Sequence, residues 1–362
     1  MDHSSNKQKI TIYRGMANCN ILLTEYNSII RLSDEKRQEL LEARNNLRIR
    51  LKQGYLIVSK ELGIQHEIQH QSQGSFVMDT IIAPMRGDYD IDDGLYFIGN
   101  LDRSSRPTPS EFHKWVKFAL DRGHDDIEKV IDKSTCIRVQ YKSGFHVDIP
   151  IYYADNIDCP DLGDVNRGWV LSHPIEFIEW FEQKIQSGFK KGFITESRLF
   201  DEFVQWTTDI RKNDHQLRRI VRYLKAWGDL RREEMPCGLI MTILAANNYY
   251  PHQRDDISLK ETLVKIQATL QRNFRCDRPT TPKGENLFEG YKNKDAFIKY
   301  LGYFIENAKK ALEEPNEKIA CKHWQASLGD RFPCYLAKDE IIGNSATISL
   351  GIGGSIRKPW CQ

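Results

Sequence analysis

"GSFVMDTIIAPMRGDYDIDDGLYF", residues 74–97, is the stretch on which the reading of this chain turns. It sets four aspartates, Asp88, Asp90, Asp92 and Asp93, within six residues. A calcium loop of the EF-hand kind needs a glycine at its sixth position and a glutamate at its twelfth. Counted from Asp88, those places hold Asp93 and Gly99, so that reading fails. A solvated acidic turn is the ordinary alternative. Against it, Tyr89, Ile91, Leu95, Tyr96 and Phe97 are strand formers, bracketed by Gly87 and Gly94. Side chains two apart on a strand share a face, so Asp90 and Asp92 project together, with Tyr89, Ile91 and Asp93 opposite. Two carboxylates held that close repel unless a cation lies between them.

The wider composition bounds the answer. The chain has 362 residues and is 40% hydrophobic, enough for one large domain or two lobes. A formal net charge of +2 excludes a strongly basic nucleic-acid binder by bulk charge. The N-terminal "MDHSSNKQKITIYRG" lacks the apolar core of a signal peptide, and the run from Leu239 to Ala246 is too short to span a bilayer. Eight cysteines are scattered without a C-x-x-C pair or zinc spacing. The expectation is a cytoplasmic protein with reduced thiols and no structural metal.

Working outward, "RLSDEKRQELLEARNNLRIRLKQ" predicts a helix with Ser33 as N-cap and Asp34 and Glu35 in its first turn. "EFHKWVKFALDRG" predicts a helix closed by Gly123. "TCIRVQYKSGFHVDIPIYY", residues 135–153, reads as a hairpin turning at Lys142-Ser143-Gly144. Its second strand places Asp148 between Val147 and Ile149. An acid inside an apolar strand is costly to bury unless paired or on a metal, and an edge aspartate facing water is the plain alternative. Beside a carboxylate pair, Asp148 is a candidate third oxygen ligand.

Beyond Gly168 the pattern is helical. In "NDHQLRRIVRYLKAWGDLRR" the residues Leu217, Ile220, Val221, Leu224 and Trp227 mark a core face, and Arg218, Arg222 and Lys225 form a basic stripe. Between Arg211 and Arg232 eight Lys/Arg face only Asp214 and Asp229. Such a stripe is either a solvated helix face or an anion site.

This order resembles the DNA polymerase β-type nucleotidyltransferase superfamily and, within it, the bacterial cGAS/DncV-like nucleotidyltransferases, which make cyclic oligonucleotide signals in anti-phage defence. The matching phrases are "QGSF" (73–76), "DYDIDDGLYF" (88–97), "HVDIPIYY" (146–153), "WVLSHPIEFIEWF" (169–181), "RRIVRYLKAW" (218–227) and "WQASLGDRFP" (324–333). The resemblance implies an α+β, two-lobed fold. A nucleotidyltransferase lobe with a mixed sheet and the N-terminal helices would occupy 1–167, a helical lobe 168–362, with the active site between them.

It also implies the site. Asp90, Asp92 and Asp148 match the family's metal-binding acids, for two Mg2+ ions or Mn2+ in their place. Gly74 and Ser75 match the turn that holds donor phosphates, Gln73 a contact to the same nucleotide, and Lys225 the lysine on the triphosphate, with Arg222 as a further candidate. Cys237, in "MPCGL", stands where relatives often carry a phosphate-contacting serine, and a thiol donates poorly. A packed core cysteine is the alternative. Asp277, in "RCDRPTTPKGENL", falls where relatives recognise a base, and a carboxylate suits guanine N1–H and N2–H2. The expected partners are NTPs, ATP first and GTP second, and a downstream effector that the product activates, with no membrane and no sequence-specific nucleic acid. Two other readings stay open. One is a transferase that makes linear products, against which stand the near-zero charge and the lack of an RNA-binding module. The other is a catalytically silent nucleotide-binding relative, against which stand three intact acids.

Overall fold

The protein is described from a computed structural model, over residues 16–63, 66–120, 126–185 and 200–339. Helix α1 (Asn20–Ile30) leads into the long α2 (Asp34–Leu62). Ser33 caps α2 by accepting from the Lys36 amide, and Gly63 ends it in a left-handed conformation at φ 63°. Strand β1 (Glu67–Gln73) runs directly into the one-turn helix α3 (Gly74–Val77). The aspartate stretch is strand β2 (Tyr89–Ile98). Helix α4 (Pro109–Leu120) follows; the Gly123 expected to close it lies outside the described residues. Then come β3 (Ile127–Asp132), β4 (Cys136–Tyr141), β5 (Phe145–Ala154), β6 (Asp161–Asp164) and β7 (Gly168–Leu171).

These strands form one mixed sheet in the order β1-β2-β5-β4-β3, with β6 and β7 continuing from the far half of β5. The pairs are antiparallel except β2–β5, which is parallel. That parallel register matters most. It sets Asp90 opposite His146 and Asp92 opposite Asp148. The side chains of α2 and α4 cover the other face, where Ile91, Leu95, Phe97, Phe112, Val116 and Tyr153 are buried together.

From Pro174 on the described chain is helical: α5 (Pro174–Ile185), α6 (Phe200–Lys212), α7 (Gln216–Asp229), α8 (Gly238–Asn248), α9 (Asp255–Arg272), α10 (Lys294–Glu313) and α11 (Glu317–Leu328). The sheet itself runs on to Leu171, four residues into the stretch expected to be helical. Helix α1 packs on α7 and α9, the Cys19 amide donating to Asp256 on α9, and the Tyr26 hydroxyl donates to the Leu328 carbonyl at the end of α11.

Two features depart from the sequence reading. Cys321 on α11 and Cys334 are joined as a disulfide with Cα atoms 5.6 Å apart, although the scattered spacing gave no sign of a pair. The basic run of 211–232 is folded inward: Arg218 pairs with Glu182, Arg219 with Asp255, Arg222 with Asp79 and Asp214, and Arg211 with Asp34. The acids that neutralise it come mostly from distant elements. Among the described residues no helix is long and apolar enough to cross a membrane.

Candidate active site

The site lies where the carboxylate face of the sheet meets α7 and α8, in a cleft of about 780 Å3. Gln73, Gly74, Ser75, Asp90, Asp92, Lys225 and Cys237 all line it. Ser172, His173, Arg278, Thr280 and Thr281 also line it. That volume suits a ligand of nucleotide size.

The acids are built by strand period and register. Asp90 and Asp92 point into the cleft from β2 while Asp93 points away, buried against Arg48 and His70. Despite its burial, the Arg48 guanidinium, with the His70 ring beside it, holds Asp93 well below the usual carboxylate range. On the cleft face the balance reverses. Burial, then the neighbouring Asp90 and Asp148, push Asp92 well above its ordinary value. Burial likewise raises Asp90, with Asp148 adding to the rise and His146 opposing it. Such a group of carboxylates is a demand for positive charge.

Asp148 has a partner that sequence reasoning missed. Arg138, its register neighbour on β4, donates from Nε and Nη2 to the two carboxylate oxygens at 2.7 Å each. Two antiparallel strands bring opposite charges face to face, and the pairing could have been found from the hairpin register alone. A carboxylate has about four acceptor positions, so this fork leaves room for a further ligand.

The turn at 74–75 is fixed by sterics. Gly74 sits at φ +73°, and a Cβ there would lie 2.9 Å from Asp92 Cγ and overlap its Oδ2. Only glycine lets the backbone come that near the acids. Gln73 is anchored beside it, its Nε2 donating to Tyr152 Oη at 3.1 Å, while its Oε1 is buried without a hydrogen-bond partner.

The segment after α3 is clamped from α7. The carbonyls of Met78, Asp79 and Thr80 accept from Arg218, Arg222 and Lys225 in turn. One helical stripe, at spacings of four and three, thereby meets three consecutive backbone acceptors. This corrects two expectations. Arg222 and Arg218 are buried structural residues that do not reach the cleft, because Asp79, Asp214, Asn27 and Glu182 hold their guanidinium groups. Lys225 alone of the stripe reaches it, Nζ lying 3.1 Å from the Thr80 carbonyl. Burial lowers Lys225 to about 8, against the pull of Asp90 and Asp92.

One further expectation comes out differently, and for Cys237 one of two alternatives falls. Asp277 does not line the cleft; it is half-exposed and paired with Arg275, while Arg278, Thr280 and Thr281 line the cleft from that loop. Cys237 is no core residue. It is exposed in the cleft at the N-cap of α8, and its side chain caps no amide.

The donor set fits a divalent cation. Ligand atoms of Asp90, His146 and Asp148 lie within 4.8 Å of one another, and the buried His146 Nε2 has no hydrogen-bond partner. His146 is a residue the sequence reading passed over, although its place two before Asp148 puts it on the same face.

A sheet with β2 and β5 parallel, three acids on its cleft face and a helical half across the cleft is the fold of the polymerase β-like nucleotidyltransferases. Residues 68–152 match the family model of the cyclic GMP-AMP synthase DncV-like nucleotidyltransferase domain. Over that stretch the chain is similar to the DncV-like nucleotidyltransferases, and the solved structures below share its fold. A c-di-GMP synthase of Roseivirga ehrenbergii is 24% identical over 262 residues, which are 67% of this chain and 66%, just under two thirds, of that relative. The structure of Vibrio cholerae DncV cyclic AMP-GMP synthase superposes with a TM-score of 0.67 at 17% identity, over 87% of this chain and 97% of that one. The same protein in complex with GTP and 5MTHFGLU2 gives 0.69 at 17% identity, over 89% and 99%.

Proposed function

We propose that this protein is a metal-dependent nucleotidyltransferase that condenses NTPs, ATP first and GTP second, into a cyclic di- or trinucleotide with release of pyrophosphate. The observation that carries the reading is the meeting, in one cleft, of the carboxylate face, the Gly74-Ser75 turn and Lys225. The names of the similar proteins, a c-di-GMP synthase and a cyclic AMP-GMP synthase also solved with the linear intermediate pppA(3′,5′)pG, support the same class.

Transfer of a nucleotidyl group asks the protein for in-line positioning and charge neutralisation more than covalent chemistry. Asp90, Asp92 and Asp148 would hold the ions, two Mg2+ or Mn2+ in their place; such ions, when bound, stabilise the charge on the attacking and leaving oxygens. The Gly74 and Ser75 amides and the Ser75 hydroxyl would receive the donor phosphates. Lys225, charged below about pH 8, adds a positive end to the triphosphate path. Gln73, with a free buried Oε1, would meet the same nucleotide. Cys237 lies beside that path with a weak donor. For cyclisation the linear intermediate must turn round so that its free hydroxyl attacks its own 5′ triphosphate. We place the division between the two halves near residue 168 and assign the product to an effector in anti-phage signalling in the cytoplasm.

The test is incubation with labelled NTPs and Mg2+ or Mn2+, followed by phosphatase. A phosphatase-resistant product that Asp90→Asn fails to make supports the reading. Phosphatase-sensitive ladders would point to the linear transferase, and binding without turnover under either metal to the silent relative.

A further inference from the structure

His146 stands on the cleft face of β5 with no role in the mechanism above. Its register partner on β2 is Asp90, and Asp148 follows two residues on, so the three side chains share one patch. The ring is buried, yet it is not satisfied. Nδ1 is 3.8 Å from Asp88 Oδ2 and Nε2 is 3.9 Å from Asp90 Oδ2, both too long for hydrogen bonds. Nε2 is buried with no partner, an arrangement that is unfavourable when nothing offsets it. Its distance to the acids suits a bridge through a cation. Ligand atoms within 4.8 Å of one another can meet on one ion at about 2.0–2.4 Å once the side chains close in by about half an ångström.

We propose that His146 supplies a nitrogen ligand to the metal ion held by Asp90 and Asp148, and that this site therefore takes Mn2+ or Co2+ in preference to Mg2+. This rests on the metal site of the proposed function and sharpens it. Mg2+ favours oxygen ligands in a tight octahedron and gives up water reluctantly, whereas an imidazole nitrogen suits transition ions and affinity rises from Mn2+ to Co2+. Asp92, beside Asp90 but not among the three ligands that include the ring, leaves an all-oxygen position for a second ion. The structure thus assigns different preferences to the two halves of the site. Arg138 favours the same outcome. Its charge on both oxygens of Asp148 weakens the pull on any cation, and a nitrogen ligand compensates most for ions that bond well to nitrogen.

The experiment is pulsed electron paramagnetic resonance on Mn2+ bound to the full chain without nucleotide. Nitrogen coupling should appear for wild type, change when the histidines carry 15N, and vanish in His146→Gln. In parallel, His146→Gln should weaken Mn2+ binding about tenfold while Mg2+, followed by competition, shifts less than about threefold. No nitrogen coupling in wild-type protein, or unchanged Mn2+ affinity in His146→Gln, overturns the histidine ligand. Asp90→Asn separates the two levels. If it loses Mn2+ while His146→Gln keeps it, only the histidine proposal fails; if both keep it, the metal site of the proposed function fails. Should His146→Gln not fold, the wild-type nitrogen coupling and its 15N shift decide alone.

Discussion

Replacing Gly74 by alanine tests how the phosphate-side turn and the acids are coupled. The backbone there is at φ +73°, where an L side chain costs about 1–2 kcal/mol. The new Cβ would lie 2.9 Å from Asp92 Cγ, against about 3.5–4.0 Å for relaxed carbon contact, and nearer still to Oδ2, so turn and acid must separate by at least about 0.6–1 Å. Asp92 has little freedom on the other side, where Asp90 and Asp148 repel it. A displacement of about 1 Å at a reacting centre can cost on the order of 100-fold in rate. Gly74→Ala should therefore melt only a few degrees lower, each kcal/mol being worth about 2–4 °C in a domain of this class. Its product formation from NTPs should fall by about two orders of magnitude. The assay is initial rate by pyrophosphate release, with a thermal melt on the same preparation. Turnover within a few-fold of wild type would refute the coupling, and so would an unfolded variant, since the strain is too small to unfold the chain.

Asp90→Ala with Asp92→Ala should abolish product while the metal-free protein melts at the same temperature or higher, because like charges are removed from a buried cluster; a large loss of melting temperature would contradict this. Arg222→Ala should destabilise by about 1–3 kcal/mol, since it leaves the buried Asn27 and the Asp79 carbonyl without their donor while Arg31 and Arg37 still pair the Asp79 carboxylate, and a denaturant midpoint near that of wild type would show the network to be unimportant. Cys237→Ser should bind a non-hydrolysable NTP as tightly or more tightly, with the apo melt unchanged or raised by a better N-cap; a lowered apo melt would put the side chain back in the core. Lys225 releases its proton near pH 8 in the folded protein and near 10.5 when unfolded, so its contribution is least favourable below pH 8 and improves as pH climbs through that window. Melts of wild type and Lys225→Met should accordingly draw together or cross between pH 8 and 10.5 in favour of wild type, and parallel curves would remove the buried-lysine account.

What could be read from the sequence was whatever depends on neighbours along a strand. Alternation set Asp90 and Asp92 on one face and Asp93 on the other, and the hairpin carried Asp148 to their side. The same rule reaches His146, two residues before Asp148, and Arg138, opposite it across the hairpin, although neither residue type by itself signals a carboxylate site. The basic stripe on α7 shows the opposite limit. Arg218, Arg222 and Lys225 look alike in sequence, and what separates them is Glu182, Asp79, Asp214 and Asn27, which arrive from α5, the loop after α3, the α6–α7 connection and α1. Asp277 is the opposite case, since the Arg275 that takes its charge stands two residues away and was legible in the sequence. The Cys321–Cys334 pairing depends on where the chain beyond α11 turns back, which no spacing rule conveys.

The central claim is that the cleft closes NTPs into a ring, and the mass of the product tests it most directly. Wild-type protein incubated with a mixture of the four NTPs and Mn2+ or Mg2+ should yield a species whose mass equals a whole number of nucleoside monophosphates less one water for each, and Asp90→Asn should yield none. A product that retains a 5′ triphosphate at every time point, or no product under either metal, would contradict the account.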